Sequence, residues 1–438
     1  MSRVATFLRS QTRQRLLARA GRSGIDLTRL DRVPDRLTWP LQRDGLDPVT
    51  RLGAVRDAEP VHLLTSFLGL RVWMVTGPAE ARAVLANDRD FSNDIRPFMG
   101  ARGAADTGDI GGLGFTDPPE HTRLRRLLTP QFTMRRLERL RPLVTDIVER
   151  QLDVLKANGP VVDLVPWFAF PVPFAVICEL LGLPDEDRET FRHLGSQRFD
   201  VSYGGQGTFG AVSDSRRFLM EATRRQRTDP GDGLIGDIIR QHGDEISDFD
   251  LAGLADGVFT GGLETSASML ALGTAVLLEH PDDFRALVAH PERVEPIVEE
   301  LLRYLSVVQV AFPRFARREL TVGDRTIAEG DVVICHLAGA NRAGAHQSNC
   351  DAGRYDAGRR PASHLAVGHG FHRCVGAELA RMELRAAFPA LARRCPDLAL
   401  EVPRDRFEAR KLSIVFGLDS LPVRLARGAE GVSLNSAP

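Results

Sequence analysis

Cysteines, histidines and paired acid–arginine positions are where this 438-residue chain could do chemistry. Cys178, Cys335, Cys350, Cys374 and Cys395 are odd in number, and none is spaced as CxxC. Neither a disulfide framework nor a cysteine-rich zinc site is expected, and a reducing, cytoplasmic setting fits best. Cys374 stands apart. In the run Val367-Gly368-His369-Gly370-Phe371-His372-Arg373-Cys374-Val375-Gly376 it follows Gly368 and Gly370, which permit a tight turn with positive backbone angles. The stretch after it, Ala377 to Leu384, is strongly helix-forming. Cys374 therefore sits at or just before a helix N-terminus, where free N–H groups can point at its sulfur and favour a thiolate. The helix dipole supplies only about 0.3–1 kcal/mol, less than the roughly 1.4 kcal/mol of one pKa unit. A bound metal must do most of the ionising, and Gly376 leaves the next turn bare for a flat cofactor. On spacing alone two other readings stay open. One is a buried structural cysteine. The other is a zinc site with His369 and His372, which lacks an evident fourth ligand.

Three further groupings could carry chemistry. Gly253, Gly257, Gly261 and Thr265 recur every four residues, so they line one helix face. Each glycine costs about 1 kcal/mol in a helix, so that face needs open space, or else close helix packing. Glu264 and Thr265 place a carboxyl and a hydroxyl side by side, suited to general-acid work beside a ligand, with Ser266 as a second hydroxyl. Glu300 and Arg303 are spaced as an i,i+3 pair, worth about 0.3–0.5 kcal/mol on a surface. His121 and Arg125 share a helix face and could together hold a carboxylate through charge-assisted hydrogen bonds.

The elements that must position these residues are mostly helices. Ser247 is an N-cap with an acid three residues on, and the pattern then runs without proline to His280-Pro281. This is roughly 32 residues, or about 48 Å, enough to cross a large domain. Glu120 to Ala157 reads as a helical stretch interrupted near Pro130, and Asp187–His193 and Ser213–Arg225 as further helices. Strand signals are short: Glu59–Leu63 with Arg71–Thr76; Leu320–Val322, Arg325–Ile327 and Val332–Leu337; Leu412–Phe416 with Leu421–Leu425. Helices with small sheets drawn from distant segments imply one mainly α domain. The Gly-rich stretch Gly100–Phe115 reads as a long loop, and long loops inside compact domains are usually functional or mobile.

Gly368 to Gly376 resembles the haem-binding loop of the cytochrome P450 family, in which the matching cysteine is the axial thiolate of haem iron. The resemblance runs from about residue 40 to the end. It implies a single mainly α domain with small β-sheets, the cytochrome P450 fold, and haem b as cofactor. Residues 1–40 form a basic N-terminal extension or peripheral helix, and 41–438 the haem domain. The resemblance further implies that Cys374 binds the iron within a loop shaped by Gly368, Gly370 and Gly376. His121, Arg125, Arg314 and His372 match propionate contacts, the first two within Asp117-Pro118-Pro119-Glu120-His121. Gly261 to Thr265 matches the family's small-Gly-x-acid-Thr motif, which makes Glu264 and Thr265 a proton relay. Glu300, Arg303 and, in Arg354-Tyr355-Asp356, Arg354 match its buried structural trio. The loop Asn93–Phe115, the region Arg198–Gly210 and the residues Gly261, Val258, Val308, Val310 and Ile414 would line a substrate pocket. The family usually has phenylalanine in place of Val367, so the tuning of the iron's potential does not carry over with the motif. Ala343-Gly344 likewise replaces the Asp-Pro that usually follows Asn341-Arg342.

The implied reaction is reductive activation of dioxygen and its insertion into an organic small molecule, free or tethered to a carrier protein. Electrons would come from a ferredoxin-type partner, and Arg123, Arg126 and Arg373 are candidates for its docking face. Same-fold alternatives are phenol coupling, desaturation or ring formation; a non-enzymatic haem or zinc module is the alternative of a different class. With 57 basic against 58 acidic residues the net charge is −1, and no field favours nucleic acid. No apolar run reaches 18 residues, so no transmembrane segment is expected. The arginine-rich start, Met1–Leu30, lacks the apolar core of a secretory signal.

Overall fold

The longest element begins where its capping serine stands. In the computed structural model, Ser247 Oγ accepts the Asp250 N–H at 3.0 Å, and one helix runs from Asp248 to Glu279, 32 residues. The reciprocal half of the capping box is missing, because the Asp250 carboxylate is taken at 2.6 Å by Arg123 from a distant helix. The structure describes residues 38–67, 70–94, 113–199, 204–343, 352–359, 363–410 and 413–425. The expectations for residues 1–37, for most of the Gly-rich loop and for Leu412 lie outside them.

This central helix threads the main core. Leu270, Leu272, Val276 and Leu277 are buried with Leu301, Leu305, Phe388, Leu391 and Phe416. Gly273 shows why a helix-weakening residue is tolerated here. A Cβ at that position would lie 2.5 Å from the Phe388 ring, which is fully buried. Burial of one such ring is worth about 1.5–3 kcal/mol, more than the roughly 1 kcal/mol that a helical glycine costs. Glu120–Leu128, a short 3-10 turn at Thr129–Phe132 and Met134–Ala157 reproduce the interrupted stretch expected around Pro130. The helices expected within 187–193 and 213–225 extend to Asp185–Phe199 and Gly204–Thr228.

The strands depart further from local pattern. Val61–Phe67 and Leu70–Val75 pair antiparallel as expected. Val332–Cys335 leaves its sequence neighbours, which form a separate hairpin, Leu320–Val322 with Arg325–Ile327. It lies instead parallel to Leu70–Val75 and antiparallel to Arg314–Ala316 in a five-stranded sheet. In place of a strand at 412–416, Leu418–Ser420 pairs with Glu408–Ala409, and Val415 makes only a single bridge to Val308. Pro422–Arg424 joins Ala399–Leu400 and Val161–Asp163.

Beneath the core lies a buried ion pair. Arg303 donates from Nε and Nη2 to the two oxygens of Glu300, both at 2.7 Å, and both side chains are about 5–6% exposed. Its other three donors go to the carbonyls of Asn341 at 2.9 Å, Ala352 at 2.8 Å and Arg354 at 2.9 Å. All five guanidinium donors are satisfied. Two later arginines meet this pair. Arg354 is exposed and contributes its main-chain oxygen, whereas Arg359 Nε lies 3.5 Å from Glu300 Oε1. The turn Tyr355–Gly358 brings the later arginine back toward the acid, with Asp356 N–H bonded to the same oxygen at 2.9 Å.

Glu300→Ala should therefore destabilise the protein by about 3–5 kcal/mol, because it strands a buried guanidinium. Urea unfolding checks this, and an unchanged midpoint would contradict it.

Candidate active site

The Cys374 loop is built from the predicted glycines. Gly368 and Gly370 have φ of 72° and 69°. A Cβ on Gly370 would come within 2.6 Å of the backbone of Leu85 and Ala86, so glycine is required there twice over. Cys374 N–H donates to Val367 O at 2.9 Å, closing the loop just ahead of the helix Ala377–Arg394. The sulfur is accessible, yet so much protein surrounds it that burial is the strongest influence on it. Burial pushes the thiol up against the Gly376 N–H, which bonds to the sulfur, and against the charges of Arg125, Arg373 and Arg381. The helix end alone does not ionise it, as the dipole magnitude implied.

The loop is clamped through Arg303 and through residues that no site motif marked. Leu365 N–H donates to Asn341 Oδ1 at 2.6 Å, Asn341 Nδ2 donates to Ser306 Oγ at 2.8 Å, and Arg303 holds the Asn341 carbonyl. On the other side, Glu299 accepts from Arg381 at 2.6 and 3.0 Å and meets His364 at 3.1 Å. Burial pulls Glu299 upward, but those two partners outweigh it and hold it down at about 2. Adjacent acids, Glu299 and Glu300, thus secure both flanks of one loop.

Four basic groups converge nearby. The His121 ring lies 4.2 Å from Phe371 and 4.3 Å from His372, centroid to centroid. His372 feels the charges of Arg314 and Arg125. Arg125 donates to Arg373 O at 2.8 Å and Arg314 to Phe312 O at 2.9 Å; neither forms an ion pair among the described residues. Burial, then neighbouring positive charge, holds His121 at about 4 and His372 at about 3. Arg123 is different, since its charge is balanced by Glu120 and Asp250, at 2.7 and 2.6 Å.

The central helix separates its two polar candidates. Gly257 and Gly261 are exposed, and a Cβ on either would meet nothing within 4 Å. Thr265 Oγ1 donates to Gly261 O at 2.7 Å on that same face, while Gly253 is buried. Glu264 stands a third of a turn away and accepts from Arg410 at 2.8 Å. Ser266 turns to Glu383, a buried acid on the cysteine helix that burial pushes up to about 8 against this hydrogen bond. Of the expected pocket residues, Ile414 is 54% exposed, Val308 and Val310 bridge Val415 and His336, and Gly261 is open. Val258 is half-buried and packs against the apolar clusters around Leu379, Met382 and Leu263.

A profile of the family "Cytochrome P450" matches residues 220–408. The relative Cytochrome P450 165B3 of Amycolatopsis orientalis is 37% identical over 388 residues, 87% of this chain and 97% of the relative. This chain belongs to the cytochrome P450 family. Cytochrome P450 monooxygenase PikC of Streptomyces venezuelae is also 37% identical, over 88% of this chain and 92% of PikC. OxyC, a cytochrome P450 implicated in an oxidative C-C coupling reaction during vancomycin biosynthesis, superposes with a TM-score of 0.79 at 37% identity. That match covers 87% of this chain and 95% of OxyC. The protein is thus an oxidoreductase of the P450 monooxygenase type, and its cofactor is haem b.

The residues of this P450 fit that group. Both His121 ring nitrogens are buried without a hydrogen-bond partner among the described residues, an arrangement that is costly unless a ligand satisfies them. Two arginines without acid partners and two histidines suit the two carboxylates of a haem. The bare Gly257–Gly261 face leaves room for a flat ring. The helix that passes by length and composition for a membrane span, Asp248–Glu279, is 72% buried in its most apolar window, as a core helix is.

Glu383 also sets a pH dependence. Its folded value of about 8 lies above the ordinary 4.5, so its contribution is fully present below pH 4.5 and is lost as pH rises through 8. Glu383→Gln should flatten this slope by on the order of a few kcal/mol. Melting temperatures compared between about pH 5 and about pH 9 read it out, and a slope equal to wild type would refute the assignment.

Proposed function

We propose that this P450 inserts one atom of dioxygen into an organic small molecule of specialised metabolism, by hydroxylation or epoxidation. The carrying observation is the combination of an accessible, loop-held cysteine with an open helix face that bears the Thr265 hydroxyl, next in sequence to the Glu264 carboxyl. Cys374 would ligate the iron, within the loop made by Gly368, Gly370 and Gly376. His121, Arg125, Arg314 and His372 would hold the propionates. Thiolate-ligated haem, when bound, supplies reductive activation of dioxygen. The chain's own part is to hold the thiolate, exclude water and deliver protons. Thr265, now bonded to Gly261 O, would turn its hydroxyl to the glycine face, and Glu264 would resupply the proton.

Residues 41–438 are read as the haem domain and 1–40 as an extension to it. Electrons would come from a ferredoxin-type partner in the cytoplasm. With Arg123 neutralised by its acids, the docking charge falls on the exposed Arg126 and Arg373. A second reading, oxidative coupling with no oxygen retained, is favoured by the likeness to OxyC. The substrate would then be a phenolic compound, free or bound to a carrier protein, and labelled dioxygen separates the two reactions.

The reduced protein with carbon monoxide should show the strongly red-shifted Soret band of thiolate-ligated haem, and Cys374→Ser should lose it. A band typical of histidine ligation in the wild type would remove Cys374 from its role. Reversing the charge of Arg126 and Arg373 should slow reduction by an acidic ferredoxin several-fold and flatten its dependence on ionic strength, while haem content is kept. Reduction kinetics that stay the same across a salt series would discard that docking face.

A further inference from the structure

Arg410 belongs to none of the motifs that point to the active site, yet it grips one of their residues. It follows the strand Glu408–Ala409, and its backbone N–H donates to Gly417 O at 2.9 Å, across the hairpin that Leu418–Ser420 completes. Its Nη1 donates to Glu264 Oε1 at 2.8 Å, with both side chains only about 15–16% exposed. Its Nε lies 3.3 Å from the carboxylate of Asp419, which is 61% exposed. The guanidinium therefore links a largely buried acid to a solvated one.

The hairpin is fixed against the central helix at more than this contact. Gly417 lies so close that a Cβ there would be 2.6 Å from Ser268 Oγ. Phe416 N–H donates to Val307 O at 2.7 Å, Gln309 N–H to Ile414 O at 2.9 Å and Gln309 Nε2 to Ser413 O at 2.8 Å. The backbone that carries Arg410 thus also carries Ile414, whose side chain is 54% exposed.

We propose that Arg410 is a positioning residue of the proton relay: it holds Glu264 as an oriented carboxylate on the hairpin side, so that proton delivery requires Glu264 to exchange this partner. The inference rests on the reading of Glu264 as the relay acid. Each proton that Glu264 yields inward is regained from solvent, so the carboxyl returns to its starting state. Among the described residues Arg410 is the charged group that acts on Glu264 directly, Asp419 lies behind Arg410, and Glu383 reaches the neighbouring Ser266 from the cysteine helix. Burial already pushes Glu264 upward, and Arg410 opposes this. Without the guanidinium, the carboxyl would take up a proton rather than stay buried as an unpaired charge. The hairpin that presents Ile414 would then also govern when the relay is free, which ties proton delivery to what lies against Ile414.

The test uses haem-loaded wild type, Glu264→Gln, Arg410→Gln and Arg410→Lys. Infrared spectra, each taken as a difference from Glu264→Gln, report the C=O stretch of a neutral Glu264 carboxyl independently of turnover. At neutral pH the band should be absent from wild type, present in Arg410→Gln and absent again in Arg410→Lys. The pH at which it appears should rise by about 1–3 units in Arg410→Gln. Hydrogen peroxide released per electron, measured with a ferredoxin and its reductase, should rise several-fold in Glu264→Gln. In Arg410→Gln its pH profile should move by the same shift as the band, and Arg410→Lys should restore it. A Glu264→Gln enzyme with wild-type peroxide release would overturn the relay reading itself. Raised release in Glu264→Gln, with the wild-type band and profile in Arg410→Gln, would overturn the role of Arg410 alone.

Discussion

The buried pairing of Glu300 with Arg303 is the interaction on which the cysteine loop depends. Taking either ion out of water costs several kcal/mol. The cost is offset only because every donor of the guanidinium is used. Two meet the carboxylate and three meet carbonyls from segments some 38, 49 and 51 residues further along the chain. A hydrophobic pair of similar volume would remove the desolvation cost but could not gather three carbonyls from two backbone segments at fixed angles. One of those carbonyls belongs to Asn341, whose side chain reaches Leu365 N–H at 2.6 Å, nine residues before the cysteine. The pair is thus less a source of stability than a device for register. It determines where the loop begins, while the Glu299–Arg381 pair determines where the helix after the loop lies.

The site itself runs against the rule that buried polar groups are satisfied. His121 is 1% exposed with both nitrogens orphaned, Arg125 and Arg314 lack acid partners among the described residues, and burial works against the thiolate of Cys374. Elsewhere in the chain arginines meet acids repeatedly, as Arg381, Arg342 and Arg404 do. The contrast is local: at this one place a buried imidazole and two guanidiniums lack acid partners among the described residues. A dianionic ring with a metal centre is what such a set favours, because its carboxylates satisfy the cations and its metal stabilises the thiolate. Fold stability and cofactor affinity are therefore linked, with some desolvation cost in the protein alone offset only when the cofactor binds.

What could be read from the chain without coordinates followed from local physics. The Ser247 cap, the unbroken run to Glu279 and the two positive-φ glycines before Cys374 each express a preference settled within a few residues. Where pairing is long-range, local pattern misled. Val332–Cys335 sits beside a strand about 260 residues earlier, and Arg359, which no local pattern marks, comes within 3.5 Å of Glu300. Arg123 looked like a free surface charge until the start of the central helix supplied Asp250. Arg410 and Glu383 were invisible for the same reason. An isolated arginine, or an acid in a helix, carries no sign of its partner, and their roles arise only from which element packs against the central helix.

The same reasoning bears on what distinguishes this P450 from its relatives. Large apolar side chains that stay exposed on well-held backbone offer a binding surface. Ile414 and Phe312 are of this kind. They are 54% and 48% exposed, large and apolar. Ile414 stands on backbone tied to Gln309, and Phe312 packs edge-on against Phe115 at 4.7 Å. Exposing such side chains to water has no benefit in itself. Fixing them in place leaves little side-chain entropy to lose when an apolar molecule covers them, so the contact area is converted into affinity more fully than a mobile surface allows.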